Sequence, residues 1–163
     1  MIILSIDPGF DKMGVAVFEK TGNSQMQNRF IDSCLIKTKR NEEHEQRLLV
    51  IYEELTRLVT IHKPDLIVME ELFYSNNQKS VIKVGQSQGI VYLVAAQVHV
   101  PVKLLNPLEI KSIITGYGNA DKKSVHKMLK LLLKQDVVVK DDDESDAIAC
   151  GLAYCYINQN LVS

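Results

Sequence analysis

Two short apolar runs of the chain, Ile2 to Ile6 and Leu66 to Met69, are each closed by a carboxylate, Asp7 and Glu70. An acid at the end of an otherwise apolar strand is costly unless water, a cation or a hydrogen-bond donor compensates it. Towards the end of the chain Asp143 and Asp146 stand three residues apart, a spacing that puts both on one face of a helix. If that helix packs across the strand ends, four carboxylates converge. Like charges so placed raise one another's pKa, and divalent cations restore the balance. An all-oxygen donor set suits Mg²⁺ or Mn²⁺. Two such ions, roughly 3.5–4 Å apart, would clamp a phosphoryl group and lower the pKa of an attacking water. Each signal alone is weak. Asp7-Pro8-Gly9 can be an ordinary turn, Glu70-Glu71 a solvated strand end, and the run from Asp141 to Asp146 a solvated helix start.

The elements that would carry these acids follow from periodicity. Ile2 to Ile6 and Gly14 to Phe18 are predicted strands joined by the Asp7-Pro8-Gly9 turn, and Arg29 to Ile36 completes a meander. From Glu42 the period changes, and Leu48, Tyr52, Leu55, Val59 and His62 mark an amphipathic helix ended by Pro64. Asp65 to Met69 is a fourth strand, residues 80–99 a helix and Val102 to Leu105 a fifth strand. Asn106-Pro107-Leu108-Glu109 offers an N-cap, a proline at the first helical position and a capping-box acid. That helix stops at Gly116, a second basic helix runs from Asp121 to Lys134, and a last one from Glu144 to Ile157. The order predicts one mixed α/β domain over residues 1–163, with strands 1, 4 and 5 parallel in a five-stranded sheet and helices on both faces. Ligands of such sheets bind at the carboxyl ends of the strands, where Asp7 and Glu70 fall.

The 163 residues carry 19 Lys+Arg and 20 Asp+Glu, a formal net charge of -1, but the charge is segregated. Residues 1–71 sum to -3, residues 72–140 to +7 and residues 141–163 to -5. A blanket polycation is excluded, while a basic surface is not. Cys34, Cys150 and Cys155 show no disulfide or zinc spacing and suit a reducing compartment. The first residues lack a secretory pattern, and Ile90 to Leu105 is too interrupted to span a membrane, so a cytoplasmic protein is expected.

In their order and spacing these motifs resemble the RuvC-type Holliday junction resolvases. The resemblance is carried by Ile6-Asp7-Pro8-Gly9 with Gly14, by Met69 to Asn77, and by Lys83-Val84-Gly85-Gln86-Ser87-Gln88-Gly89. Gly116 to Lys122 and Asp143-Glu144-Ser145-Asp146-Ala147 complete it, so that it covers nearly the whole chain. It implies a ribonuclease-H-like fold and a homodimeric, metal-dependent endonuclease that nicks a four-way DNA junction symmetrically in recombination and repair. It also implies Asp7, Glu70, Asp143 and Asp146 as holders of two Mg²⁺ per subunit, with Mn²⁺ as substitute. Lys122 would assist catalysis, Lys111 and Lys122 would bind phosphate, Phe73 would face the junction, and a branch-migration complex is a candidate partner.

The chain departs from the family pattern where a small polar and then a basic residue follow Asp7-Pro8-Gly9. Here they are Phe10 and Asp11, and Asp11 either adds charge to the metal site or points away from it. Asp141 and Asp142 extend the acidic run, and Lys123 follows Lys122. Lys123, Lys127, Lys130 and Lys134 share a helical spacing, and with Lys79, Lys83, Lys103, Lys111 and Lys122 they form a DNA-tracking surface or a solvated face. Phe73 and Tyr74 either pack beneath their loop or stack on a base at the crossover. Apolar residues on several faces of the 80–99 helix fit a two-fold interface or a sandwiched core helix. Competing readings are a flap or RNA-end nuclease of the same fold and a non-catalytic junction binder. An actin-like kinase fragment would need a second large domain.

Overall fold

The computed structural model describes residues 1–21, 28–71, 78–133 and 141–157. Its strands are β1 (Ile2–Asp7), β2 (Lys12–Lys20), β3 (Asn28–Lys37), β4 (Leu66–Glu70) and β5 (Val102–Leu105). The helices are α1 (His44–His62), α2 (Gln78–Gln97), α3 (Pro107–Thr115), α4 (Lys122–Leu133) and α5 (Asp142–Ile157). The sheet order is β3-β2-β1-β4-β5, with β1–β2–β3 an antiparallel meander and β1, β4 and β5 parallel, as the element order predicts.

The period-two alternation of the strands divides the core in two. Leu4, Ile6, Ile67 and Met69 point to the side covered by α1 and α2, where they meet Ile51, Leu55, Val91 and Val94. Ile3, Leu66, Val68, Ala16 and Phe18 point to the other side, against Ile114, Leu129, Ile148 and Leu152 of α3, α4 and α5. Asp7 continues the row of Ile3 and Ser5, and Glu70 the row of Leu66 and Val68. Alternation alone therefore aims both acids at the face that α5 covers.

Local signals end the helices where the chemistry requires. Asn106 accepts from the Leu108 N–H at 2.9 Å and Pro107 opens α3, while Gly116 closes it in the left-handed region at φ 81°. Such a cap contributes about 1 kcal/mol. Pro64 is preceded by Lys63, also left-handed, whose N–H returns to the Val59 carbonyl. The inward stripe of α1 is turned by one residue from the periodic reading: Arg47, Ile51, Leu55, Leu58 and Val59 are buried, and Leu48 and Tyr52 lie at the margin. The reason is Arg47, whose guanidinium is drawn inward by Thr38, the Phe10 carbonyl and Asp11. Cys150 and Cys155 are buried and Cys34 is half-buried.

Candidate active site

Asp7 is the last residue of β1 and Glu70 the last of β4. The pairing of Ile6 with Met69 makes the two acids neighbours at the carboxyl end of the sheet. Burial, then the negative charges of Glu70, Asp146 and Asp143, push the Asp7 carboxyl up to about 8 against the opposing pull of Lys122. Glu70 rises to about 7, again chiefly through burial and then Asp146, while Lys111 and Lys122 pull it down. Both acids therefore sit where their charged forms are poorly compensated.

α5 supplies the other two acids, and β2 admits it. Gly14 is the register partner of Asp7. A Cβ on Gly14 would lie 1.9 Å from the Asp143 carbonyl oxygen, so a glycine here lets the start of α5 rest directly on the strand. Gly151 repeats the device from the helix side, about two turns further along α5, against Phe18 and the Ser5 hydroxyl. Ser5 Oγ donates to the Ala147 carbonyl at 2.7 Å, and Ser33 Oγ to Glu144 at 2.6 Å. Asp143 is raised by burial and by Asp141. Asp146 accepts from Lys122 Nζ at 3.1 Å. Burial alone would lower the Lys122 ammonium, but Asp146, Asp142 and Asp143 together raise it.

A cleft of about 140 Å³ is lined by Glu70, Lys111, Lys122 and Asp146, with Ile110, Val125 and Ala149 among its apolar walls. Beside it lies a wider groove of about 580 Å³ lined by Lys122, Lys123, His126, Lys127, Lys130 and Asp142. Lys122 belongs to both, so the carboxylates and the basic surface are continuous. Among the described residues no three Asp, Glu, His or Cys side chains form a ready-made cation cage. The donor chemistry nevertheless fits a hard divalent cation. All donors are carboxylate oxygens, and two of the acids have their charge disfavoured by burial and by neighbouring carboxylates.

A profile of the crossover junction endodeoxyribonuclease RuvC family matches residues 3–155. The chain belongs to the RuvC family. A relative from Thermosipho melanesiensis, named crossover junction endodeoxyribonuclease RuvC, is 40% identical over 155 residues, covering 95% of this chain and 96% of that protein. Thermus thermophilus RuvC, solved in complex with Holliday junction substrate, superposes with a TM-score of 0.88 at 25% identity, covering 98% of this chain and 95% of that one. The yeast mitochondrial Holliday junction resolvase shares the fold at a TM-score of 0.68 and 13% identity, covering 96% of this chain and 79% of that one.

In this RuvC chain the structure gathers Asp7, Glu70, Asp143, Asp146, Lys111 and Lys122 at one sheet end, and puts Lys123 and Lys127 in the adjoining groove. Lys83 lies apart from that groove, with its Nζ 5.4 Å from the centre of the Phe10 ring. Phe73, Tyr74 and the Lys79 side chain lie outside the described residues. The departures from the RuvC pattern are accounted for by cations. Asp11 turns away from the carboxylates and pairs with Arg47 and, at 2.8 Å, with Arg40. Phe10 is buried between His44, stacked at 4.7 Å, and the Arg47 guanidinium. Asp141 pairs with Lys12 at 2.5 Å, and Asp142 lies 3.8 Å from Lys122. Ser5, Lys12, Ser33 and Arg47 were not singled out in the sequence. For Lys12 a signal existed: it lies two residues before Gly14 and so on the same face of β2.

Proposed function

We propose that this chain is a structure-specific, metal-dependent endonuclease that resolves four-way DNA junctions by paired symmetric nicks in recombination and repair. The observation that carries the reading is the pairing of under-compensated acids, Asp7 and Glu70, with Lys111 and Lys122 around one cleft that opens onto a lysine groove. The RuvC relatives, one of them solved on a Holliday junction, support the same substrate.

Asp7, Glu70, Asp143 and Asp146 would hold two Mg²⁺ per subunit, with Mn²⁺ as a substitute. Bound there, such cations neutralise the phosphodiester and lower the pKa of water for its hydrolysis. The chain's own groups do the rest. Lys111 and Lys122 face the cleft with ammonium groups that bind the phosphate and offset charge developing on it. Ile110, Val125 and Ala149 keep one wall of the cleft apolar, which strengthens those electrostatic contacts. Lys123, Lys127 and Lys130 track the flanking backbone from α4. Phe73 and Tyr74 would meet a base unstacked at the crossover.

Paired nicks require two sites related by symmetry. The outer face of α2 carries Ile82, Tyr92 and Leu93 exposed, with open space at Gly85 and Gly89 between them. Such a stripe suits an isologous homodimer. No helix among the described residues is long and apolar enough to cross a membrane, and the cytoplasm is the compartment the chemistry suits. A branch-migration complex remains a candidate partner. The test is cleavage of a mobile four-way junction against a linear duplex, with and without Mg²⁺, mapping nicks on all four strands. Symmetric Mg²⁺-dependent nicks in opposing strands are expected, and equal cleavage of the duplex would overturn the reading.

A further inference from the structure

Lys12 opens β2 on the same face as Gly14, the residue on which the start of α5 rests. Its ammonium donates to Asp141 Oδ2 at 2.5 Å across 129 residues of sequence. The other oxygen of the same carboxylate, Oδ1, accepts from the Asp143 N–H at 3.4 Å, and the Asp141 carbonyl accepts from the Ser145 N–H at 3.2 Å. Asp141 is thus the N-cap of α5, and Lys12 grips the cap from the neighbouring strand.

The pair differs from an ordinary surface bridge. The Asp141 side chain is 16% exposed and that of Lys12 45%. It joins two elements at the point where one of them begins, so it bears on the direction of α5 more than on the stability of the sheet. Asp143 follows the cap by two residues and Asp146 by five. Lys12 does not line the cleft of Glu70, Lys111, Lys122 and Asp146. A deeper contact, Ser5 to Ala147, holds the next turn of α5, while Ser33 to Glu144 and the Lys12 pair hold its first from two different strands.

We propose that Lys12 and Asp141 form a strap that positions the first turn of α5, and with it Asp143 and Asp146, over Asp7 and Glu70. The inference rests on the reading of those four acids as the cation-holding set. Lys12 is a positioning residue in this arrangement. The rival role for a half-exposed lysine at this edge is direct contact with a DNA phosphate, and the two roles treat Asp141 oppositely. A strap needs both partners equally. A phosphate contact needs Lys12 alone, and losing Asp141 would free it to bind more tightly.

The experiment compares the full-length protein with Lys12→Met, Lys12→Arg, Asp141→Asn and the Lys12→Met/Asp141→Asn double variant. Three quantities are read: amide hydrogen exchange at residues 143–147 without DNA, junction affinity without divalent cations, and single-turnover cleavage at saturating junction in Mg²⁺. Each single loss should speed exchange about threefold, the range set by a partly exposed ion pair at a helix cap. Cleavage should slow by a similar or larger factor, with junction affinity unchanged. The double variant should be no worse than either single one, because both break the same contact. Lys12→Arg should restore exchange and cleavage. Weakened junction affinity in Lys12→Met, with unchanged or tighter affinity in Asp141→Asn, would overturn the strap in favour of a phosphate contact. Unaltered exchange in both would overturn it outright. If the parent protein cleaves no junction, the functional reading fails, while the exchange data still decide whether the strap exists.

Discussion

Asp7 and Asp11 are four residues apart on the same turn of chain, yet their surroundings are opposite. Asp11 meets the guanidinium groups of Arg47 and Arg40, and the hydrogen bond from Arg47 holds its carboxyl below the usual range. Asp7 is half-buried beside Glu70, Asp146 and Asp143, and its carboxyl is pushed up to about 8. One acid is balanced by cations this chain supplies, and the other is left short of them. A balanced charge belongs to the architecture, because its partners come with the fold. A charge whose compensation is incomplete marks the place where the molecule takes something from outside. Asp141, matched by Lys12, falls on the architectural side of that line although it adjoins the acids of the site.

The same Asp→Asn change should therefore have opposite consequences at the two positions. Asp7→Asn should lower junction cleavage at least on the order of a hundredfold, as loss of a group that organises transition-state charge does. In chelator at pH 9 it should also raise the melting temperature, by removing a half-buried and poorly compensated negative charge. Asp11→Asn should retain cleavage but lower stability by about 1–3 kcal/mol, since it leaves the buried Arg47 guanidinium without its charged partner. Cleavage rates and thermal unfolding of the two variants side by side check this. A stabilised Asp11→Asn, or a fully active Asp7→Asn, would break the comparison.

The pH dependence follows with the same signs. Asp7 binds its proton more tightly folded, near 8 against 3.8, so its contribution to stability is full below 3.8 and is lost as pH rises towards 8. Glu70 adds a loss between 4.5 and about 7. Asp11, with a lowered pKa, contributes above its ordinary value and loses that contribution as pH falls. In chelator the melting temperature should thus decline from about pH 5 to pH 8.5, and the decline should flatten in Asp7→Asn. A melting temperature that climbs across that window would contradict the assigned imbalance.

The sheet, its parallel and antiparallel pairs and the places of Asp7 and Glu70 were legible because alternation and apolar runs are local signals, and a spacing of three put Asp143 and Asp146 on one helix face. Matching Asp7 to Glu70 needed only the parity of two strands. The first turn of α5 was not legible. Three consecutive acids, Asp141 to Asp143, carry no boundary among themselves, and the helix begins at Asp142, two residues before the expected Glu144. What selects Asp141 as its cap is Lys12, at the other end of the chain. The rotation of α1 has the same origin. A guanidinium at position 47 reads as outward until Asp11, Thr38 and the Phe10 carbonyl are known to wait for it.

Gly14 sets how closely the two halves of the site approach, and a methyl group there is the next largest perturbation. Gly14→Ala would drive a Cβ into the Asp143 carbonyl, so α5 must lift from β2. Overpacking of this kind costs about 1–3 kcal/mol. Because the lift separates Asp143 from Asp7, cleavage should fall by more than thermal stability alone explains. Measuring both at a temperature where the variant stays folded separates the two effects. Unchanged cleavage in a folded Gly14→Ala protein would show that α5 need not sit so near β1.

The smallest effect makes the finest distinction, since it concerns cations rather than acids. Lys130 lines the groove beside the site, whereas Arg40 is engaged by Asp11. Each carries one positive charge on an exposed side chain, so net charge alone predicts the same loss from neutralising either. Counterion release predicts otherwise, because only a cation that touches phosphate displaces a condensed ion. Lys130→Gln should reduce the slope of log affinity against log salt by about one, with little change in cleavage at saturating junction. Arg40→Gln should leave the slope unchanged. Equal slopes for the two variants would mean that the junction senses the overall field of the protein rather than the groove on α4, and the boundary between architectural and substrate-facing charge would have to be redrawn on that side of the molecule.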